Sequence, residues 1–127
     1  MEELLEDGGT QVSDLEGTPE EVVEVLRRAD HERTQQMWPF YTDIDNTTAP
    51  TLKVGLNGER GALIYWDGKT AHLPADGSNP EPADYWWADH HAPFPRFSEI
   101  PAEDALQVIR EFLRTGQRPA CIEWAAR

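Results

Sequence analysis

The chain has 127 residues with 24 acids against 11 bases, a formal net charge of -13 that repels nucleic acid and anionic lipid and attracts basic partners. Hydrophobic residues make up 39% of it and no apolar run approaches the roughly 18 residues of a membrane span, so the composition reads as one soluble domain, residues 1–127. Cys121 is the single cysteine, which excludes an internal disulfide, and the acidic start MEELLEDGG lacks the basic and apolar regions of a signal peptide; a reducing, cytoplasmic setting is expected.

Acidity that does no more than keep the chain soluble fits the same numbers. The first seventeen residues are acidic and broken by Gly8-Gly9; residues 1–9 are expected to be mobile, and Thr10–Leu15 to form a short edge strand. Thr18-Pro19-Glu20-Glu21 is a helix start, with Thr18 as cap, Pro19 at the first helical position and Glu21 closing a capping box. Val22, Val25, Leu26 and Ala29 then share one face, so a helix is predicted over 19–33. Met37–Tyr41 is aromatic, but Pro39 demotes it to an edge strand or packed loop, and Thr42–Pro50 reads as a polar turn region.

Residues 51–73 read as a three-stranded antiparallel meander. Leu52, Val54 and Leu56 alternate along the first strand, and Asn57-Gly58 starts a tight turn. Ala62–Trp66 is apolar on both faces, as a central strand covered on both sides would be. Asp67-Gly68 then signals a hairpin to Lys69–Leu73. The stretch Pro74–Pro95 holds five prolines with Gly77, Ser78 and Asn79 and reads as an irregular excursion. Within it Asp84–Ala88 is a candidate for pairing with the sheet, and Phe94–Phe97 for a further strand. The second helix, 101–115, opens at Pro101 and carries the stripe Ala105, Leu106, Ile109, Phe112 and Leu113. Gly116 suits a left-handed cap, Pro119 forbids continuation, and Ala120–Trp124 is expected to be a last short strand.

The order LIYWDG, variable loop, then IPAEDALQVIREFLRTGQRPACIEW resembles the first immunity-protein family of bacterial polymorphic toxin systems, whose members protect a cell from deaminase toxins. The matching residues are Leu63, Tyr65, Pro101, Ala105, Phe112, Gly116, Arg118, Pro119 and Trp124, within a match from Leu52 to Trp124. The resemblance implies an α+β fold, an antiparallel sheet of about four to six strands packed against the two helices. It implies no enzymatic activity and no cofactor. The implied role is to bind a cognate toxin domain and block its active site or nucleic-acid cleft. The matching residues are mostly scaffold, and the Pro- and Trp-rich excursion and the acidic N-terminal half depart from the family pattern, so the contact surface and the toxin are not carried over.

Chemistry-bearing sets are weak. Adjacent His90 and His91 point to opposite faces if extended, and no HExxH helix or Cys-x-x-Cys pair accompanies them, so no metal site is expected. Ser13, Ser78 and Ser98 lack a nucleophile-elbow context, and Cys121 reads as a small buried apolar residue rather than a reactive thiol. Gly58 and Gly61 are turn glycines with no helix after them, hence no phosphate cradle. Tyr85-Trp86-Trp87 beside acids suits a protein interface, where Trp and Tyr dominate binding. The competing reading is that these rings cover the sheet edge as core; between the two, one tryptophan is expected inward and one available. The candidate toxin-binding residues are Asp67, Asp76, Asp84, Tyr85, Trp86, Trp87 and Asp89, an acidic collar around an aromatic centre if they cluster. Two other readings stand beside an immunity protein: a small metal-dependent or acid–base enzyme using the loop histidines, and an acidic adaptor without a toxin partner.

Overall fold

Three long strands make the middle of the sheet: β2 (Gln36–Tyr41), β3 (Thr51–Asn57) and β4 (Arg60–Trp66). The computed structural model describes residues 10–126, so the expectation for residues 1–9 lies outside the described residues. β3 pairs antiparallel with β4 along its whole length and with β2 from Thr51 to Leu56. The remaining strands are short and share the two outer edges of this trio. Beside β2 lie β1 (Thr10–Gln11), parallel to it at Phe40–Tyr41, and β6 (Trp86–Trp87), parallel to it at Gln36. Beside β4 lie β5 (Ala71–Pro74) and β8 (Glu99–Pro101). The hairpin partner β7 (His90–His91) ends the sheet on one side and β9 (Trp124–Ala126) on the other, giving the order β7-β6-β2-β3-β4-β5-β9.

The sheet thus differs from the expectation in two respects. It has nine strands among the described residues rather than four to six, and it is mixed rather than antiparallel. Strands of two to four residues contain too few side chains for an alternation to be read. Met37–Tyr41 also turns out to be interior. Its proline is tolerated because the pairings on its outer edge fall at Gln36 and at Phe40–Tyr41, either side of Pro39.

Both helices pack on one face. Thr18 caps α1 (Pro19–Glu32), accepting from the Glu21 amide at 3.2 Å, while the Glu21 carboxylate takes the Thr18 hydroxyl at 3.3 Å. α2 (Ala102–Thr115) ends where Gly116 adopts a φ of 67° and returns its amide to the Phe112 carbonyl at 2.7 Å. That left-handed geometry costs a residue with a Cβ roughly 1–2 kcal/mol. Val22, Val23 and Leu26 of α1 and Ala105, Leu106, Val108, Ile109 and Phe112 of α2 are buried against Trp38, Phe40, Leu52, Val54, Leu56, Leu63 and Tyr65. Val25, Ala29 and Leu113, assigned to the helix stripes, lie at the margin of this core, and Val23 and Val108 join it.

The excursion covers part of the opposite face. Tyr85 and Phe94, both essentially inaccessible, close over Met37 and Ala62. Asn79 ties the loop down: its amide group donates to the carbonyls of Glu81 and Pro95, and its oxygen accepts the amides of Ser98 and Glu99 at 2.9 Å. Phe94 makes a single bridge to Ala83, and the predicted strand 94–97 is instead displaced to Glu99–Pro101. The last strand likewise begins at Trp124 rather than ending there, which leaves Cys121 on an irregular, exposed segment and not buried as expected.

Candidate functional site

The β6–β7 hairpin carries three of the seven candidate contact residues, Trp86, Trp87 and Asp89, at one corner of the sheet, and two more, Asp84 and Tyr85, directly precede it. Trp87 pairs with His90, leaving Ala88-Asp89 as the turn, and Ala88 takes a φ of 52°. Gln35, at a φ of 64°, fastens the hairpin to β2: its carbonyl accepts the Trp86 amide at 2.7 Å, and its side-chain amide donates to the Asp84 carbonyl at 3.1 Å. Trp86 is 38% exposed and lies against the His91 ring at a centroid distance of 4.8 Å. His91 Nε2 in turn sits 2.8 Å from Asp84 Oδ1. Asp89, on the turn, meets Arg33 at 3.5 Å.

Tyr85 has the opposite orientation. It is 0% exposed, packs edge-on against Phe94 at 4.9 Å, and donates its hydroxyl to Glu99 Oε2 at 2.7 Å. Burial, then the Glu99 carboxylate, pushes its phenol well above the usual range. Tyr85 therefore anchors the hairpin from inside, while Trp87 is half-buried and Trp86 is the ring left outside.

Asp67 and Asp76 are placed elsewhere, so the four aspartates do not form one collar. Asp67 follows the Trp66 end of β4, which is in register with Thr51 and Tyr41, whereas Trp86 is in register with Gln36 at the other end of β2. Five residues of strand separate the two levels by about 17 Å, with roughly 10–15 Å more across the strands. The Asp67 carboxylate closes the β4–β5 turn, accepting the amides of Lys69 and Thr70 at 2.8 and 2.6 Å and meeting His72 Nε2 at 2.9 Å. Asp76 lies after β5, where Gly77 and Ser78 bond to Pro74 and Glu99.

The His72 contact first, then the two turn amides, hold the Asp67 carboxyl at about 2, against an ordinary 3.8. A carboxyl depressed in the folded state stabilises the fold above its unfolded value, and the contribution is lost as pH falls through the folded value. Acid titration followed by circular dichroism should therefore show Asp67→Asn losing less stability than the parent chain between pH 3.8 and about 2. Parallel curves for the two chains would remove Asp67 from the acid response.

A groove of about 340 Å³ opens beside the hairpin, between it and the end of α1. Ala29, Glu32 and Arg33 line one side, Met37 and Trp38 lie beneath, and Trp87, Ala88 and Asp89 form the other side. Sequence reasoning singled out Trp87 and Asp89 but not Glu32 or Arg33. The signal available was the short break between helix and strand at 33–35, which brings the end of α1 against the start of β2.

Among the described residues no three His, Cys, Asp or Glu side chains converge as a metal site requires, and neither His72 nor His91 is hydrogen-bonded to a serine or cysteine. Ser98 is buried and spends its hydroxyl on the Pro95 carbonyl. Although Cys121 is exposed, partial desolvation by its neighbours and then Glu111 raise its thiol, which lowers its thiolate fraction. No helix among the described residues is long and apolar enough to cross a membrane.

Fold and surface together define an α+β domain with a partly exposed tryptophan and charged side chains at one corner of a mixed sheet. The model of the Imm1 immunity protein family matches residues 13–126, nearly the whole chain, and the chain belongs to that family. Membership implies a cognate toxin as partner. No curated protein matches the chain.

Proposed function

We propose that this immunity protein neutralises a nucleic-acid deaminase toxin by filling the toxin's active site or nucleic-acid cleft, and that it does so in the cytoplasm, where the toxin's substrate lies. The observation that carries this reading is the family match over residues 13–126 on a chain of net charge -13. An enzyme that acts on nucleic acid presents basic side chains to phosphate, and an acidic protein competes for them. Steering by charge speeds capture, and buried rings slow release. Of the candidate contacts, Asp84, Trp86, Trp87 and Asp89 share one surface and form the proposed interface, with Tyr85 supporting it from within.

The test is co-expression with the toxin domain encoded beside this gene. Growth should be restored and base deamination in the cell's nucleic acid abolished; a neighbouring toxin that kills protected and unprotected cells alike would end the proposal, and protection against a toxin that deaminates nothing would end its deaminase part. Reversing Asp84 and Asp89 to lysine should slow association about tenfold at low salt and flatten its salt dependence. Unchanged association rates would move the interface away from this corner.

A further inference from the structure

The groove between the end of α1 and the β6–β7 hairpin is lined by two carboxylates, Glu32 and Asp89, against one cation, Arg33. Glu32 and Asp89 stand on its two sides, and Trp87 lies half-buried in its wall. The last turn of α1 lines it through Ala29, Glu32 and Arg33, which brings the negative end of a 14-residue helix to its edge. Three different sources of attraction for a cation thus converge: carboxylates, an aromatic ring and a helix C-terminus.

The chain's own cation satisfies this only loosely. Arg33 reaches Asp89 at 3.5 Å, beyond the roughly 2.7–2.9 Å of a good charge-assisted bond. The two side chains are 61% and 95% exposed, so their pair is solvent-screened and exchanges at little cost. Among the described residues Glu32 has no ion-pair partner. The backbone around the groove is also held in costly conformations. Two of the three described non-glycine residues with positive φ, Gln35 and Ala88, flank it, which is where strain is retained when a surface must be kept in shape.

Resting on the toxin-binding reading above, we infer that this groove is the specificity pocket of the interface: it takes one arginine or lysine side chain of the toxin, whose charge displaces Arg33 from Asp89 and whose aliphatic stem lies along Trp87. A guanidinium fits both requirements, since it forks between two carboxylates and stacks on an aromatic face. Arg33 then acts as an internal placeholder that a correct partner outcompetes and a partner without a cation does not.

The experiment measures equilibrium binding of the full chain to the toxin domain encoded beside its gene, with folding of each variant checked by thermal unfolding. Glu32→Gln with Asp89→Asn should weaken binding at least about tenfold by speeding dissociation. Arg33→Ala should tighten binding or leave it unchanged. The two changes therefore differ in expected effect although all three residues are exposed. An arginine or lysine of the toxin should exist whose change to glutamate weakens binding and is rescued by Asp89→Arg. Wild-type inhibition that is indifferent to Glu32→Gln with Asp89→Asn overturns the pocket alone. Weakening by Arg33→Ala of more than about tenfold also overturns it, because Arg33 would then be a direct contact. Absence of binding by the wild-type chain overturns the toxin reading and this one with it.

Discussion

Replacing Phe112 by alanine should lower the stability of the domain by about 3–5 kcal/mol and its melting temperature by roughly 10–20 °C. Phe112 is fully buried on α2, between the helix and β4, with its ring edge-on to Tyr65 at a centroid distance of 6.1 Å. Alanine removes most of that ring and leaves a cavity that rigid strands on one side and a helix on the other cannot collapse to fill. A domain of this size commonly has about 5–15 kcal/mol in total, so the loss is a large fraction of what holds it together. Leu113, one residue further on, sits at the core's margin, and Leu113→Ala should cost clearly less. Urea unfolding of the two variants measures the contrast. A Phe112→Ala chain within 1 kcal/mol of the parent would mean that α2 does not dock as described.

Tyr85→Ala should damage the corner proposed as the interface rather than the whole domain, at a cost of about 3–5 kcal/mol. The ring lies under Phe94 and against Gly55 of β3, so close that a Cβ added at Gly55 would come within 2.6 Å of it. Removing it hollows the second core beneath the hairpin and strands the Glu99 carboxylate that accepts its hydroxyl. The helix-side core does not include Tyr85, so far-UV circular dichroism should keep its helical signal at moderate temperature. Proteolysis within residues 75–98 should accelerate, and toxin affinity should fall because Trp86 and Trp87 lose their support. Tyr85→Phe keeps the ring and gives up one hydrogen bond, so it should cost about 1 kcal/mol and leave binding intact. Equal loss of binding in both variants would make the hydroxyl, not the packed ring, the feature that matters.

The histidines illustrate how far residue type alone misleads. His90 and His91 are adjacent in a loop-like stretch, yet they form a strand, and His91 is occupied with Asp84 on one side and Trp86 on the other. The four aspartates are a second case. They are close in sequence, yet Asp67 lies in the β4–β5 turn, Asp76 after β5, and Asp84 and Asp89 at the β6–β7 hairpin, and the register of β2, β3 and β4 sets Asp67 at the far corner. Proximity along an excursion carries no information about which edge of the sheet each turn will reach.

Local order decided the two helices and the meander. Their caps, the 3.6-residue stripe of α2, the Asp67-Gly68 turn and the Gly116 stop each act within a few residues, so the amino-acid sequence specifies them without knowledge of the rest. The family resemblance rests on the same local features, and the match over residues 13–126 agrees with it. The tertiary structure alone decided the short edge strands, the inward turn of Tyr85, the outward turn of Trp86 and the groove between α1 and the hairpin. The placing of the hairpin on the sheet depends on contacts between residues about fifty positions apart, such as Gln35 with Asp84 and Trp86. Two-residue strands have no periodicity of their own, and which of three consecutive rings turns inward is set by the sheet that receives them.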